Sequence, residues 1–304
     1  MQWEESMTKQ LRLQRFKASL AVPALFLLIL LSGATSTLTT SPSSIQVKNS
    51  VKTMIKVGEY HLNFQVIKGG SLTILLEAGG GMDSTEWSEL APVLAQKTGA
   101  TVVSYDRAGF GKSDLPEIPY DMLEEVDWLW QGLKQLGLNK NLVLVGHSYG
   151  GWLIRLIASE HPNPIRGMVF VDPFTTEFVY ALGVEYLDNH PMAGRHPFDT
   201  SHPEKLTKQQ RALVRMVGKG LGPKVEVMRK TSIPSGIPVR VITCGKKFLP
   251  KPEEQQAWRQ SHEQMTASIK GAILLVAEQS DHMVPWAQPE IIIEAVTEVI
   301  DLIE

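Results

Sequence analysis

The hexapeptide Gly146-His147-Ser148-Tyr149-Gly150-Gly151 follows the apolar run Leu142–Val145 directly and opens a stretch with helical spacing, Gly150–Glu160. A serine at a sharp strand-to-helix turn needs small neighbours two residues away on both sides, because larger side chains there collide with adjacent elements. Gly146 and Gly150 meet that need. Such a turn lifts the hydroxyl above the sheet edge and sets it at a helix N-terminus, where developing negative charge is favoured. The chemistry open to Ser148 is nucleophilic attack on a carbonyl carbon. A free hydroxyl is too weakly acidic for that at neutral pH, so a base must lie within hydrogen-bond reach.

The elements that position this turn are short apolar runs separated by amphipathic stretches. The runs are Thr73–Glu77, Ala100–Tyr105, Asn141–Val145, Gly167–Val171, Pro238–Thr243 and Ala272–Ala277. Between them lie helix candidates at Ser84–Lys97, Tyr120–Leu136, Gly150–Glu160, Glu253–Ile269 and Pro285–Ile303. That alternation predicts an α/β fold with a mostly parallel central sheet and helices on both faces. Ahead of it, Thr53–Val57 and Tyr60–Lys68 flank Gly58-Glu59, a hairpin signal. One interval breaks the alternation. Residues 174–236 carry no strand signal and contain the helical pattern Leu206–Val217, which predicts a helical cap inserted after the strand ending at Val171. Insertions at strand carboxyl ends lie over the ligand site of such sheets, so the cap is expected to shape a substrate pocket.

Taken with Glu77-Ala78-Gly79-Gly80-Gly81, Asp106–Ser113 and Asp281-His282, the hexapeptide resembles the α/β-hydrolase family over roughly residues 50–304. The family order of serine, acid, histidine implies Ser148 as nucleophile and His282 as general base. An imidazole with its ordinary pKa near about 6.5 suits both uptake and return of a proton, worth ~10²–10⁴ in rate. The acid departs from the common pattern. The strand Pro238–Thr243 leads into Cys244-Gly245-Lys246-Lys247-Phe248, without a carboxylate until Glu253. The alternative family position is the end of the preceding strand, and the resemblance thereby implies Asp172 as the acid that holds the imidazole tautomer; the competing reading is that Glu253 or Glu254 orients the base. The resemblance also implies an oxyanion hole from the backbone N–H groups of Tyr149 and Gly80.

The activity so implied is cleavage of a carboxylic ester, or an amide, of a small to medium apolar substrate through an acyl-enzyme, with no metal or organic cofactor. Carbon–carbon bond hydrolysis and aminopeptidase activity stay open on the same scaffold. Relatives that open epoxides or displace halide use an aspartate at the elbow, where this chain has Ser148. A catalytically silent binder of a small apolar ligand is the competing class, motivated by the missing acid after Thr243.

The remaining chemistry-bearing residues read as structural. Gly79–Gly81 lacks the Gly-Lys-Ser/Thr that a phosphate loop requires. Asp106–Ser113 is expected to shape a turn beside the nucleophile, with Asp281 pointing away from the base. His190, His196 and His202, each followed by Pro, match no metal-ligand spacing and are assigned to cap loops. Trp128, Trp130 and Trp152 read as core or pocket wall, and Cys244 as a buried strand-end residue. A single cysteine excludes an internal disulfide framework. With 30 Lys+Arg against 32 Asp+Glu and no basic cluster, nucleic acid is not an expected partner.

Leu20–Leu31 is an almost unbroken apolar run preceded by Lys9, Arg12, Arg15 and Lys17 and followed by Ser32 and Ala34. Residues 1–34 are therefore expected to be an export signal cleaved after Ala34, or an uncleaved membrane anchor. Residues 35–49 read as a linker, and residues 50–304 as the catalytic domain with its cap. On either outcome the domain is expected outside the cytoplasmic membrane, secreted or anchored on its outer face.

Overall fold

In the computed structural model, which describes residues 50–117, 119–190, 200–218 and 220–303, eight strands form one sheet. The strands are β1 (Ser50–Val57), β2 (Tyr60–Ile67), β3 (Thr73–Glu77), β4 (Thr101–Tyr105), β5 (Leu142–His147), β6 (Ile165–Val171), β7 (Val239–Cys244) and β8 (Ile273–Ala277). Their spatial order is β1-β2-β4-β3-β5-β6-β7-β8. The hairpin β1–β2 and the β2–β4 pair are antiparallel, and every pair from β4 onward is parallel.

The inner strands are apolar without interruption because both of their faces are covered. Ile74, Leu76, Val143, Val145, Val169 and Val171 point into one core, and their neighbours Leu75, Leu142, Leu144, Met168 and Phe170 into the other. The period of two in a strand divides each run between two layers. On the first face lie helices α1 (Leu90–Thr98) and α10 (Pro289–Asp301), which bury Leu90, Leu94, Ile292, Val296 and Val299 there. On the second lie α2 (Met122–Leu136), α3 (Tyr149–Glu160) and α8 (Pro252–Ser268), with Val126, Leu129, Trp152, Leu156 and Trp258 at the contact. Helix α2 starts at a reciprocal cap between Asp121 and Glu124 and ends at Gly137, whose φ of 70° is the left-handed conformation that favours glycine.

Two expected helices are divided. Ser84–Lys97 is a 3-10 turn over Ser84–Trp87 followed by α1, and Pro285–Ile303 is α9 (Val284–Ala287) followed by α10. The second break has a covalent cause. Pro289 has no N–H and bars the helical conformation for the residue before it, so Gln288 takes φ −150°, ψ 59°.

Between β6 and β7 the chain forms α4 (Thr176–Leu182), α5 (Val184–Asp188), α6 (Lys208–Val217) and α7 (Leu221–Met228), with no strand among the described residues. Helix α6 reaches loops at the sheet edge: Lys208 Nζ donates to the carbonyls of Gly111 (2.7 Å) and Ser113 (2.9 Å), and Gln209 Nε2 to that of Gly81 (3.0 Å). The expected leader and linker, residues 1–49, and His196 lie outside the described residues. Among the described residues no helix is long and apolar enough to cross a membrane.

Candidate active site

Because β3, β5, β6, β7 and β8 are parallel neighbours, their carboxyl ends share one edge, and there Ser148, Asp172 and His282 lie together. Ser148 follows β5 with φ 52° and ψ −120°, a strained conformation for a residue with a Cβ. The flanking glycines have a steric reason. A Cβ on Gly146 would lie 2.6 Å from the Gly150 carbonyl oxygen, and one on Gly150 would lie 2.6 Å from those of Glu77 and Ala78. The elbow is tied to β6 by the Ser148 N–H, which donates to the Val171 carbonyl at 3.0 Å.

His282 sits on the loop after β8, and its Nε2 lies 2.9 Å from Ser148 Oγ. Its Nδ1 lies 2.6 Å from Asp172 Oδ2. Both ring nitrogens are thus taken by the residues expected from the sequence. Phe248 stacks on the imidazole with centroids 4.8 Å apart, and Trp258 meets it edge-on at 5.4 Å.

Asp172 ends β6 with φ 40° and is fully buried. Its second oxygen, Oδ1, accepts the Cys244 N–H at 2.8 Å and the Trp258 Nε1–H at 3.1 Å. Burial alone would raise this carboxyl. The hydrogen bond and charge of His282, with His262 and the Cys244 N–H, outweigh it and hold the group below its ordinary value. Glu254 is engaged elsewhere, with Tyr186 and with Lys251 at 3.2 Å, and Glu253 is exposed. The Asp281 side chain accepts the Met283 N–H at 2.9 Å.

Gly80 lies against the first turn of α3, where a Cβ would be 3.4 Å from the Cβ of Tyr149. Tyr149 opens α3, so its N–H belongs to the first-turn amides that lack an intrahelical acceptor. The neighbouring Gly79 N–H is already committed, to Glu86 Oε2 at 2.7 Å. Met216 of α6 closes over Gly80, its methyl 3.6 Å from where a Cβ would be.

A buried charge cluster under this loop was not singled out from the sequence. Arg107 Nη1 donates to Glu77 Oε1 (2.8 Å) and to the Ala78 carbonyl (2.7 Å), while Nη2 donates to the carbonyls of Gly79 and Met82. Glu77 also accepts from Tyr105 at 2.7 Å, and Glu125 accepts from the Tyr149 hydroxyl at 3.0 Å. Burial pushes Glu77 up to about 7 against the pull of Arg107 and Tyr105, and raises Glu125 as well. The available signal was a carboxylate closing one apolar run and a guanidinium following another. Within Asp106–Ser113, Asp106 does shape a turn, accepting from Asn63 (2.9 Å), Ser84 (3.0 Å) and Lys112 (2.8 Å).

Cys244 is buried, as are Trp130 and Trp152. His202 lies 3.2 Å from Glu204, and His190 3.6 Å from Glu254. No group of three or more His, Cys, Asp or Glu among the described residues has a metal-holding arrangement.

The family model of the alpha/beta hydrolase fold matches residues 73–193, the stretch that holds Gly79–Gly81, the turn at Ser148 and Asp172. The chain has the α/β-hydrolase fold. Uncharacterized protein YqjL of Bacillus subtilis is 27% identical to this α/β hydrolase over 236 residues, 76% of the chain and 85% of that protein. A proline iminopeptidase of Saccharolobus solfataricus is 32% identical over 132 residues, covering only 41% of each chain. Among solved structures, an esterase from Exiguobacterium antarcticum superposes with a TM-score of 0.59 at 17% identity, covering 83% of this chain and all of that one. At that identity the likeness is one of fold. The hydrolase fold and the enzymes among the proteins it resembles support a hydrolase.

Proposed function

We propose that this α/β hydrolase cleaves a carboxylic ester, or an amide, of a small to medium apolar substrate through an acyl-enzyme on Ser148. The carrying observation is the unbroken line from Ser148 Oγ to His282 Nε2 at 2.9 Å and from His282 Nδ1 to Asp172 Oδ2 at 2.6 Å. His282 Nε2 takes the hydroxyl proton as Oγ bonds to the ester carbonyl carbon. Asp172 holds the tautomer that leaves Nε2 free to accept and stabilises the imidazolium that forms. The carbonyl oxygen, now negative, meets the N–H groups of Gly80 and Tyr149; losing one such donor costs ~2.7–4 kcal/mol. His282 then gives its proton to the departing alkoxide oxygen, the C–O bond breaks, and water repeats the sequence to release the acid.

Helices α4 to α7 act in this proposal as the cap. Met216 beside Gly80 supports that role, since a side chain there limits the space at the reacting carbonyl. Residues 1–34 act as export signal or anchor, which N-terminal sequencing of the protein made in its host distinguishes. The silent-binder alternative was motivated by the missing carboxylate after β7, and Asp172 supplies one from β6 instead.

The test is turnover of short-chain p-nitrophenyl esters beside proline p-nitroanilide, with Ser148→Ala as control. Ester turnover that disappears in the variant is expected. Preferred cleavage of the anilide would move the activity to the peptidase class, and no turnover of either would support a binder.

A further inference from the structure

His147, the residue before the nucleophile, has its own buried contacts that the steps above do not use. Its ring is buried at the end of β5, and both ring nitrogens meet oxygens. Nε2 faces the backbone carbonyl of His282 at 2.9 Å, and Nδ1 contacts the carboxylate of Glu86. A carbonyl oxygen only accepts, so Nε2 carries a proton. Glu86, also buried, sits on the 3-10 turn Ser84–Trp87, and its other oxygen accepts the Gly79 N–H at 2.7 Å. Taking Glu86 as the ionised carboxylate, it accepts on both sides and His147 donates at both nitrogens. In that state the ring is an imidazolium.

We propose that His147 and Glu86 form a buried ion pair that positions the general base, the nucleophile and the oxyanion loop against one another. Each of the three segments has one attachment to it. His147 is covalently next to Ser148, its Nε2–H holds the backbone of the His282 loop, and Glu86 holds the amide next to Gly80. His282 is thereby gripped twice, at its side chain by Asp172 and at its carbonyl by His147. Without the second grip the loop from Glu278 to Met283 would leave the imidazole free to swing about its contact with Asp172.

The charges around the ring support this state. Burial opposes a cation on His147, and Glu86, the His282 carbonyl and the more distant Asp172 together outweigh it, raising the ring above its ordinary value. The other ring beside it is that of His282, 4.8 Å away between centroids. A buried ion pair adds little net stability over an apolar pair of the same shape. Its effect is expected in geometry, where a displacement of about 1 Å costs on the order of 10² in rate.

The inference rests on Ser148 and His282 being the reacting pair, and two measurements separate its failure from failure of that chemistry. The first is ¹⁵N NMR of the histidine rings in the exported form, assigned by the signals lost in His147→Ala and read whether or not the protein turns over esters. Both His147 nitrogens are expected to be protonated at pH 7–8, and only Nε2 in Glu86→Gln. A neutral His147 in the wild type overturns the ion pair. The second is ester turnover normalised to the fraction labelled by a fluorophosphonate, which removes any effect of misfolded protein. His147→Ala and Glu86→Ala are expected to lower kcat by about 10–100-fold with KM within a few-fold. Glu86→Gln is expected to recover most of that loss. Its amide oxygen can accept the Gly79 N–H while its NH₂ donates to Nδ1 of a neutral His147, so all three contacts persist. Wild-type kcat in folded, fully labelled His147→Ala contradicts the proposal; absence of wild-type labelling instead counts against the underlying hydrolase chemistry.

Discussion

Asp172 and His282 stand 110 residues apart in the chain and 2.6 Å apart in the fold. Asp172 stands at the end of β6 and not of β7, and its Oδ1 is anchored by the Cys244 N–H and Trp258 so that Oδ2 faces the imidazole. Asp172→Asn keeps the anchored oxygen but turns an NH₂ group toward Nδ1. That forces the wrong tautomer, with Nε2 protonated and unable to take the serine proton. A fall in kcat of about 10⁴ is expected, with the folded state retained. Steady-state kinetics and thermal melting check both parts.

The same carboxylate sets an acid limit. Its folded pKa lies below the unfolded value of 3.8, so its stabilising contribution is present above that value and is lost as pH falls through the folded one. In Asp172→Asn this part of the acid-side loss of stability disappears, which a series of melts from pH 5 down to pH 2 would reveal as a shallower slope.

Glu77 has the opposite sign. Its folded value of about 7 lies above its ordinary 4.5, so its contribution is present below about 4.5 and is lost as pH rises toward and through about 7. Glu77→Gln is expected to be less stable overall, since Arg107 loses its partner. Its stability, however, should decline less between pH 4.5 and 7 than that of the wild type. Parallel slopes from urea unfolding across this range would refute the assignment.

Gly150→Ala tests the elbow. The added Cβ meets two backbone carbonyls at 2.6 Å, neither of which can move without shifting β3 or its following loop. Destabilisation of at least about 1–3 kcal/mol is expected, measured by denaturant unfolding, together with loss of fluorophosphonate labelling.

The sheet was legible because its inner strands are apolar on both faces, and the elbow because Gly146 and Gly150 bracket a serine between a strand and a helix. Asp172 was legible as a carboxylate at the strand end where the resemblance puts the acid; that it, and not Glu253 or Glu254, faces the imidazole follows from β6 lying between β5 and β7. The buried pairs were not legible. His147 and Glu86 are 61 residues apart, Arg107 and Glu77 30, and only the order of strands brings them together. A charged residue inside an apolar segment signals that it has a partner, without naming it. Helix ends were misplaced where a proline interrupts an otherwise continuous apolar period, as at Pro289.

Intact-mass and peptide analysis after fluorophosphonate treatment tests the central claim most directly. One adduct per chain is expected, on the peptide containing Ser148, formed orders of magnitude more slowly in His282→Ala. An adduct that forms on Ser148 at the same rate without His282, or no adduct on the folded wild-type protein, would contradict it.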